Sequence, residues 1–139
     1  MRKSILGVVA GLVAWLAIVT VAGLIMRASW PAYASVASAM TFTLPMLLAR
    51  LSIAAVATLA TGLIATLIAP RSMLVRLVPG LILLALFIPE HIMFWHKFPV
   101  WYHLTFLLSL VPLTWGGGTM ASPMRDAQWR KHSAAGLSR

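Results

Sequence analysis

Glu90 is followed at once by His91, with His96 and His103 close behind, and Arg50 is the one charge inside an otherwise apolar stretch upstream. These five side chains are the chemistry that the apolar body of the chain offers. One carboxylate and three imidazoles form a donor set suited to zinc, iron, manganese or copper. A carboxylate beside an arginine and a histidine can also bind and release a proton within a membrane. The bland alternative is an Arg50–Glu90 ion pair that neutralises both charges and fixes helix register, since burying either alone costs several kcal/mol.

Spacing weakens the metal reading. His91 and His96 are five residues apart, about 140° around an ideal helix, whereas two helical ligands prefer positions i and i+4. No metal is therefore assigned, and Glu90, His91, His96 and His103 remain the only candidates for one. Haem needs two facing histidines at matched depth, and only His103 is well placed on a membrane-spanning face. The sequence has no Gly-rich phosphate loop, His-Glu-x-x-His, paired carboxylates or serine elbow, so no catalytic residue and no cofactor are expected. The absence of cysteine excludes disulfides, thiolate metal ligands and thiol redox cycles.

The elements that must position this cluster follow from composition. Of the 139 residues 61% are hydrophobic and 9% charged, against roughly 25% charged in a soluble domain. That composition belongs to an all-α integral membrane protein forming a single membrane domain. A crossing takes about 20 apolar residues, which gives four transmembrane helices at about 5–26, 44–69, 74–95 and 100–119, followed by a basic tail at 120–139. Only thirteen uncharged residues, Leu77 to Pro89, separate Arg76 from Glu90, so the third helix carries one or both into the membrane region. Pro79 and Pro89 predict a kink or local opening near Glu90. Pro70-Arg71 reads as the stop of the second helix, and Gly116-Gly117-Gly118 as the stop of the fourth. A tight turn at Lys97-Phe98-Pro99 joins helices three and four into a hairpin. Between Arg27 and Thr43 a short interfacial helix or loop is expected, with Trp30 and Tyr33 dipping into the head groups.

Orientation follows from the basic residues. Arg2, Lys3, Arg71, Arg76, Arg125, Arg130, Lys131 and Arg139 fall on one side, and Arg27 and Lys97 on the other with Arg50 near it. The positive-inside rule then predicts an antiparallel bundle in the bacterial inner membrane with both termini cytoplasmic. The small-residue site Ala37-Ser38-Ala39 resembles a signal-peptidase site, but the first apolar run is too long for a usual signal core. The net charge of +9 is spent flanking apolar segments, which points to lipid head groups and away from nucleic acid.

Gly7 and Gly11 form a GxxxG pair, and Ala54, Ala57, Thr58, Thr61, Gly62 and Ala65 answer it on the second helix, predicting close packing of these two helices. The same faces would suit a homo-oligomer or a larger membrane complex. Trp15 reads as a packing residue whose indole N–H needs a partner. Phe98 to His103 reads as an aromatic hairpin anchor or a lipid entry point, and Gln128-Trp129-Arg130-Lys131 as a cationic surface segment. No inverted repeat links the two halves. The most economical function is a non-enzymatic accessory or complex-forming subunit. The alternative is a small proton-coupled transporter or a lipid- or metal-handling protein using Arg50, Glu90, His91, His96 and His103.

Overall fold

A computed structural model describes residues 1–69 and 73–136, with side chains described up to residue 121. Its five helices are α1 (Arg2–Ser29), α2 (Pro31–Val36), α3 (Leu44–Ile68), α4 (Met73–Met93) and α5 (Val100–Gly136), and there is no strand among the described residues. Four of them, with the apolar part of α5 at Val100–Ala121, are long and apolar enough to cross a membrane. The Pro70-Arg71 stop and the side chains of Arg125, Asp126, Gln128, Trp129, Arg130, Lys131 and Arg139 lie outside the described residues.

Proline sets several boundaries. The residue before a proline is pushed out of the α region, and Trp30, at φ −126° and ψ 88°, ends α1 and begins α2 at Pro31. Thr43 is extended ahead of α3, and Pro45 sits in the first turn, where its missing N–H removes no helical bond. Between α2 and α3 the chain turns through Met40, which takes φ 58°. That left-handed conformation is uncommon for a side chain of this size. Pro79 and Pro89 sit inside a helix that is continuous from Met73 to Met93. After it, turns through Phe94–Lys97 lead into α5, with Phe94 N–H donating to Glu90 O at 3.0 Å and Lys97 N–H to Phe94 O at 2.9 Å.

Small residues bring the backbones together. A Cβ on Gly7 would stand 2.6 Å from the Ala65 carbonyl oxygen, and one on Gly11 2.8 Å from that of Thr61. Thr61 Oγ1 bonds to the Gly11 carbonyl at 3.1 Å, and the Trp15 indole N–H donates to Thr58 Oγ1 at 3.1 Å. The GxxxG face of α1 is thus spent on α3. On the other side of α3, Gly62 lies against the Thr114 backbone and Gly117 against that of Leu59. Gly80 of α4 approaches Val111, where an added Cβ would come within 3.0 Å of its Cα. Trp15, Ala54, Ala57, Leu83, Phe106 and Leu110 fill the core between these seams.

Two expectations are corrected. Gly116-Gly117-Gly118 does not end the fourth long helix near residue 119. The glycines keep helical dihedrals with no positive φ, and α5 runs on to Gly136 into the stretch expected as a tail. Their small size serves close contact with α3 rather than chain reversal. Tyr33 does not reach out to head groups but is 3% exposed, because α2 folds it over the bundle.

Candidate functional site

The five helices and the α4–α5 turn enclose a cavity of about 280 Å³ at the end of the bundle where α2 lies. Its apolar wall comes from Trp15 and Val19 of α1, Ile53 of α3 and Phe87 and Phe106 of α4 and α5. Its polar groups are Tyr33, Arg50, Glu90, His91, Tyr102 and His103. Above it runs a row of aromatic rings: Trp30 on Tyr33 at 6.1 Å between centroids, Tyr33 on Phe42 at 5.1 Å, and Phe42 on Phe98 at 6.1 Å. The row joins α2, the α2–α3 connection and the α4–α5 turn into a roof.

Arg50 sits in the second turn of α3, about 9 Å along it at 1.5 Å per residue. Its guanidinium is held by hydroxyls: Nη1 donates to Tyr33 Oη at 2.8 Å and Nε, more weakly, to Tyr102 Oη at 3.4 Å. Its Cζ lies 4.9 Å from the centre of the Phe42 ring, within cation–π range. Both tyrosines are buried, Tyr102 at 4% exposure. Arg50 and Glu90 do not pair. Glu90 is exposed and lines the same cavity, and no ion pair or hydrogen bond of its side chain is found among the described residues. The reason is angular: on α4 the neighbouring His91, not Glu90, turns toward α5 and the tyrosines.

His91 and His103 meet, with their Nδ1 atoms 2.7 Å apart. At that separation one Nδ1 must carry the proton and the other present its lone pair. His103 is fully buried, stacked on Trp95 at 4.8 Å, and its Nε2 has no partner. Buried orphan N–H groups are rarer than under-satisfied acceptors. The assignment that avoids a buried orphan N–H has His103 donating from Nδ1, which leaves its Nε2 an unpaired acceptor and His91 with its proton on Nε2. His91 itself is half-buried and packed against Phe106 at 4.7 Å and Tyr102 at 6.2 Å.

The structure thus brings together Arg50, His91 and His103, with Glu90 on the rim of the same cavity, while His96 is exposed and takes no part in it. Among the described residues no three His, Cys, Asp or Glu side chains gather where a metal ion would sit. Sequence reasoning missed Tyr33 and Tyr102 as the partners of Arg50. It also left a usable signal unread. His91 and His103 are each six residues from Lys97, and residues equidistant from the tip of a helical hairpin stand at equal depth on facing helices.

The arrangement is mostly hydrogen-bond donors. Arg50 retains N–H groups beyond the two that bond the tyrosines, each tyrosine hydroxyl accepts from Arg50 and keeps its own proton to donate, and His91 offers Nε2–H. No protein-family model, no curated protein and no solved structure matches this chain.

Proposed function

We propose that the protein is a small multi-pass inner-membrane protein that binds an amphiphilic membrane molecule in the roofed cavity, a lipid-handling role. The observation that carries this reading is a guanidinium fixed by two buried tyrosines at the edge of an aromatic-walled cavity of ligand size. Ligand sites are typically apolar hollows with a few placed polar groups, and ionisable residues inside a membrane span mark such sites. In the same reading the four long helices form an antiparallel bundle with both termini cytoplasmic, as the basic residues suggest, and the cavity opens toward the outer leaflet. Reporter fusions should place the Lys97 turn outside the cytoplasm; a cytoplasmic turn reverses the orientation.

The accessory or complex-forming role is less well supported, because the small-residue faces that would suit a homo-oligomer or a larger complex are used between α1 and α3 and between α3 and α5. Direct proton-coupled transport would draw on the same Glu90 and histidines, but it lacks the repeat architecture that alternating access commonly uses.

Gly23 provides the test. It lines the cavity, and an added Cβ there meets nothing within 4 Å. Gly23→Phe should fill the cavity without disturbing the bundle. Protein purified in mild detergent should carry an amphiphile detectable by mass spectrometry of its organic extract, and Gly23→Phe should lose it while keeping a cooperative melting transition. An identical extract from both proteins would refute the cavity as the site.

A further inference from the structure

The cavity's polar groups restrict what its occupant's head can be. Arg50, the two tyrosine hydroxyls and His91 Nε2–H present donors, while the acceptors on the wall, Glu90 and the buried His103 Nε2, do not contact the guanidinium. A donor set of this kind is completed by acceptor oxygens, and a guanidinium within an apolar span is completed by negative charge. Among the described residues Arg50 is the one fixed positive charge on the cavity wall, and the Glu90 carboxylate on the rim adds a negative one. That favours a monoanion over a doubly charged phosphate monoester. A carboxylate also matches the planar fork of a guanidinium in two parallel hydrogen bonds.

A second hollow says where a tail would run. Between the other halves of α1 and α4 lies a groove of about 530 Å³ lined by Ile5, Val8, Leu12, Leu74, Val78 and Ile82 among others. It is on the same pair of helices as the head cavity. On α1 it ends at Leu12, one turn short of Trp15, and the Trp15–Phe87 ring contact at 5.0 Å separates the two hollows. From Met26 to Ser4 the two together follow α1 for about 33 Å at 1.5 Å per residue, comparable to the thickness of a hydrocarbon core.

We infer that the ligand is a single-chain lipid acid, its carboxylate bound by Arg50 with Tyr33, Tyr102 and His91 donating beside it, and its hydrocarbon tail lying along the α1–α4 seam. This rests on the amphiphile-binding reading and narrows it to an oxyanion head and one tail.

The test uses the full chain in maltoside detergent with four probes: oleic acid, methyl oleate, oleyl phosphate and decylubiquinone. Binding is read by the thermal shift of tryptophan fluorescence and by one-to-one adducts in native mass spectrometry. Oleic acid should raise the melting temperature and form the adduct, methyl oleate and decylubiquinone should do neither, and oleyl phosphate should bind more weakly than oleic acid. Arg50→Gln should weaken oleic acid at least about tenfold, the equivalent of one lost charge-assisted hydrogen bond. Comparing acid with ester on the wild type needs no variant, so a poorly folded Arg50→Gln protein leaves the test intact. Equal binding of methyl oleate or decylubiquinone overturns the oxyanion head and leaves the amphiphile reading standing. Tighter binding of oleyl phosphate overturns the monoanion. Failure of all four probes, together with an extract free of amphiphile, overturns both readings.

Discussion

Replacing Arg50 by Leu, alone and together with Tyr33→Phe, Tyr102→Phe or Glu90→Leu, measures which partner holds the guanidinium. A hydrogen bond to a charged group contributes about 1.5–3 kcal/mol. The Nη1–Tyr33 bond at 2.8 Å meets that description, so the Arg50/Tyr33 cycle should give a coupling of about 1.5 kcal/mol. The Nε–Tyr102 bond at 3.4 Å is near the limit of bonding geometry and should couple by about 0.5 kcal/mol. Glu90 makes no contact with Arg50, so that cycle should be additive within about 0.5 kcal/mol. The single change Arg50→Leu loses these bonds and a cation–π contact of about 0.5–1 kcal/mol. It also removes a charge that costs about 2.5–3.5 kcal/mol to place in a membrane span. The two sides nearly cancel, so Arg50→Leu should fall within about 1 kcal/mol of the wild type. The assay is reversible unfolding in mixed micelles, followed by tryptophan fluorescence. Coupling above about 1 kcal/mol for Arg50/Glu90, with none for Arg50/Tyr33, would mean that the guanidinium turns to the carboxylate and that the pair is structural.

Glycine positions separate packing from mere presence in a helix. Gly62→Ala and Gly117→Ala push a methyl group into the backbone of the facing helix and should cost at least about 2 kcal/mol, seen as a large drop in melting temperature. Gly23→Ala meets open space and should stabilise α1 by about 0.5–1 kcal/mol; destabilisation there would show that α1 packs more closely than described. Trp15→Phe keeps the ring contact with Phe87 but leaves Thr58 Oγ1 without the indole donor, and should cost about 1 kcal/mol in the same assay. Because Thr58 still donates to the Ala54 carbonyl, Thr58→Val in the Trp15→Phe background should cost less than in the wild type.

The spans were legible because an apolar run of about 20 residues has few other readings. The GxxxG face of α1 was legible for a related reason, since small residues at that spacing invite a neighbouring backbone. Gly116-Gly117-Gly118 shows where such reading fails. Glycine permits both chain reversal and close approach, and only the position of Leu59 on α3 selects the second. Arg50 and Glu90 suggested a pair because charges are visible in a sequence and side-chain direction is not. The guanidinium instead meets two hydroxyls, one delivered by a six-residue helix and one by the first turn of α5, and neither residue type announces itself as a partner for a charge. His91 and His103 line one cavity, while His96 stands outside it. Which two would touch depended on the exact tip of the hairpin.

The tight and loose seams of the molecule divide the work of the site. Where α1 meets α3, and α3 meets α5, glycine and alanine let backbones touch, and such contacts have little room to slide. These seams fix Arg50 on α3 relative to Tyr102 and His103 on α5. Between α1 and α4 the packing is sparse, it is flanked by both hollows, and the Trp15–Phe87 rings bridge it between them. Regions with few buried contacts open first. On the amphiphile-binding reading, a molecule arriving from the bilayer would part α1 from α4 while Arg50 and Tyr102 stay fixed to each other through the α3–α5 seam. Tyr33 is at once part of the aromatic row and the stronger ligand of Arg50, so the row and the guanidinium hold each other in place. If the cavity binds an amphiphile as proposed, the sparse α1–α4 contacts favour entry from the side, the route open to a ligand that spends its time among lipid tails.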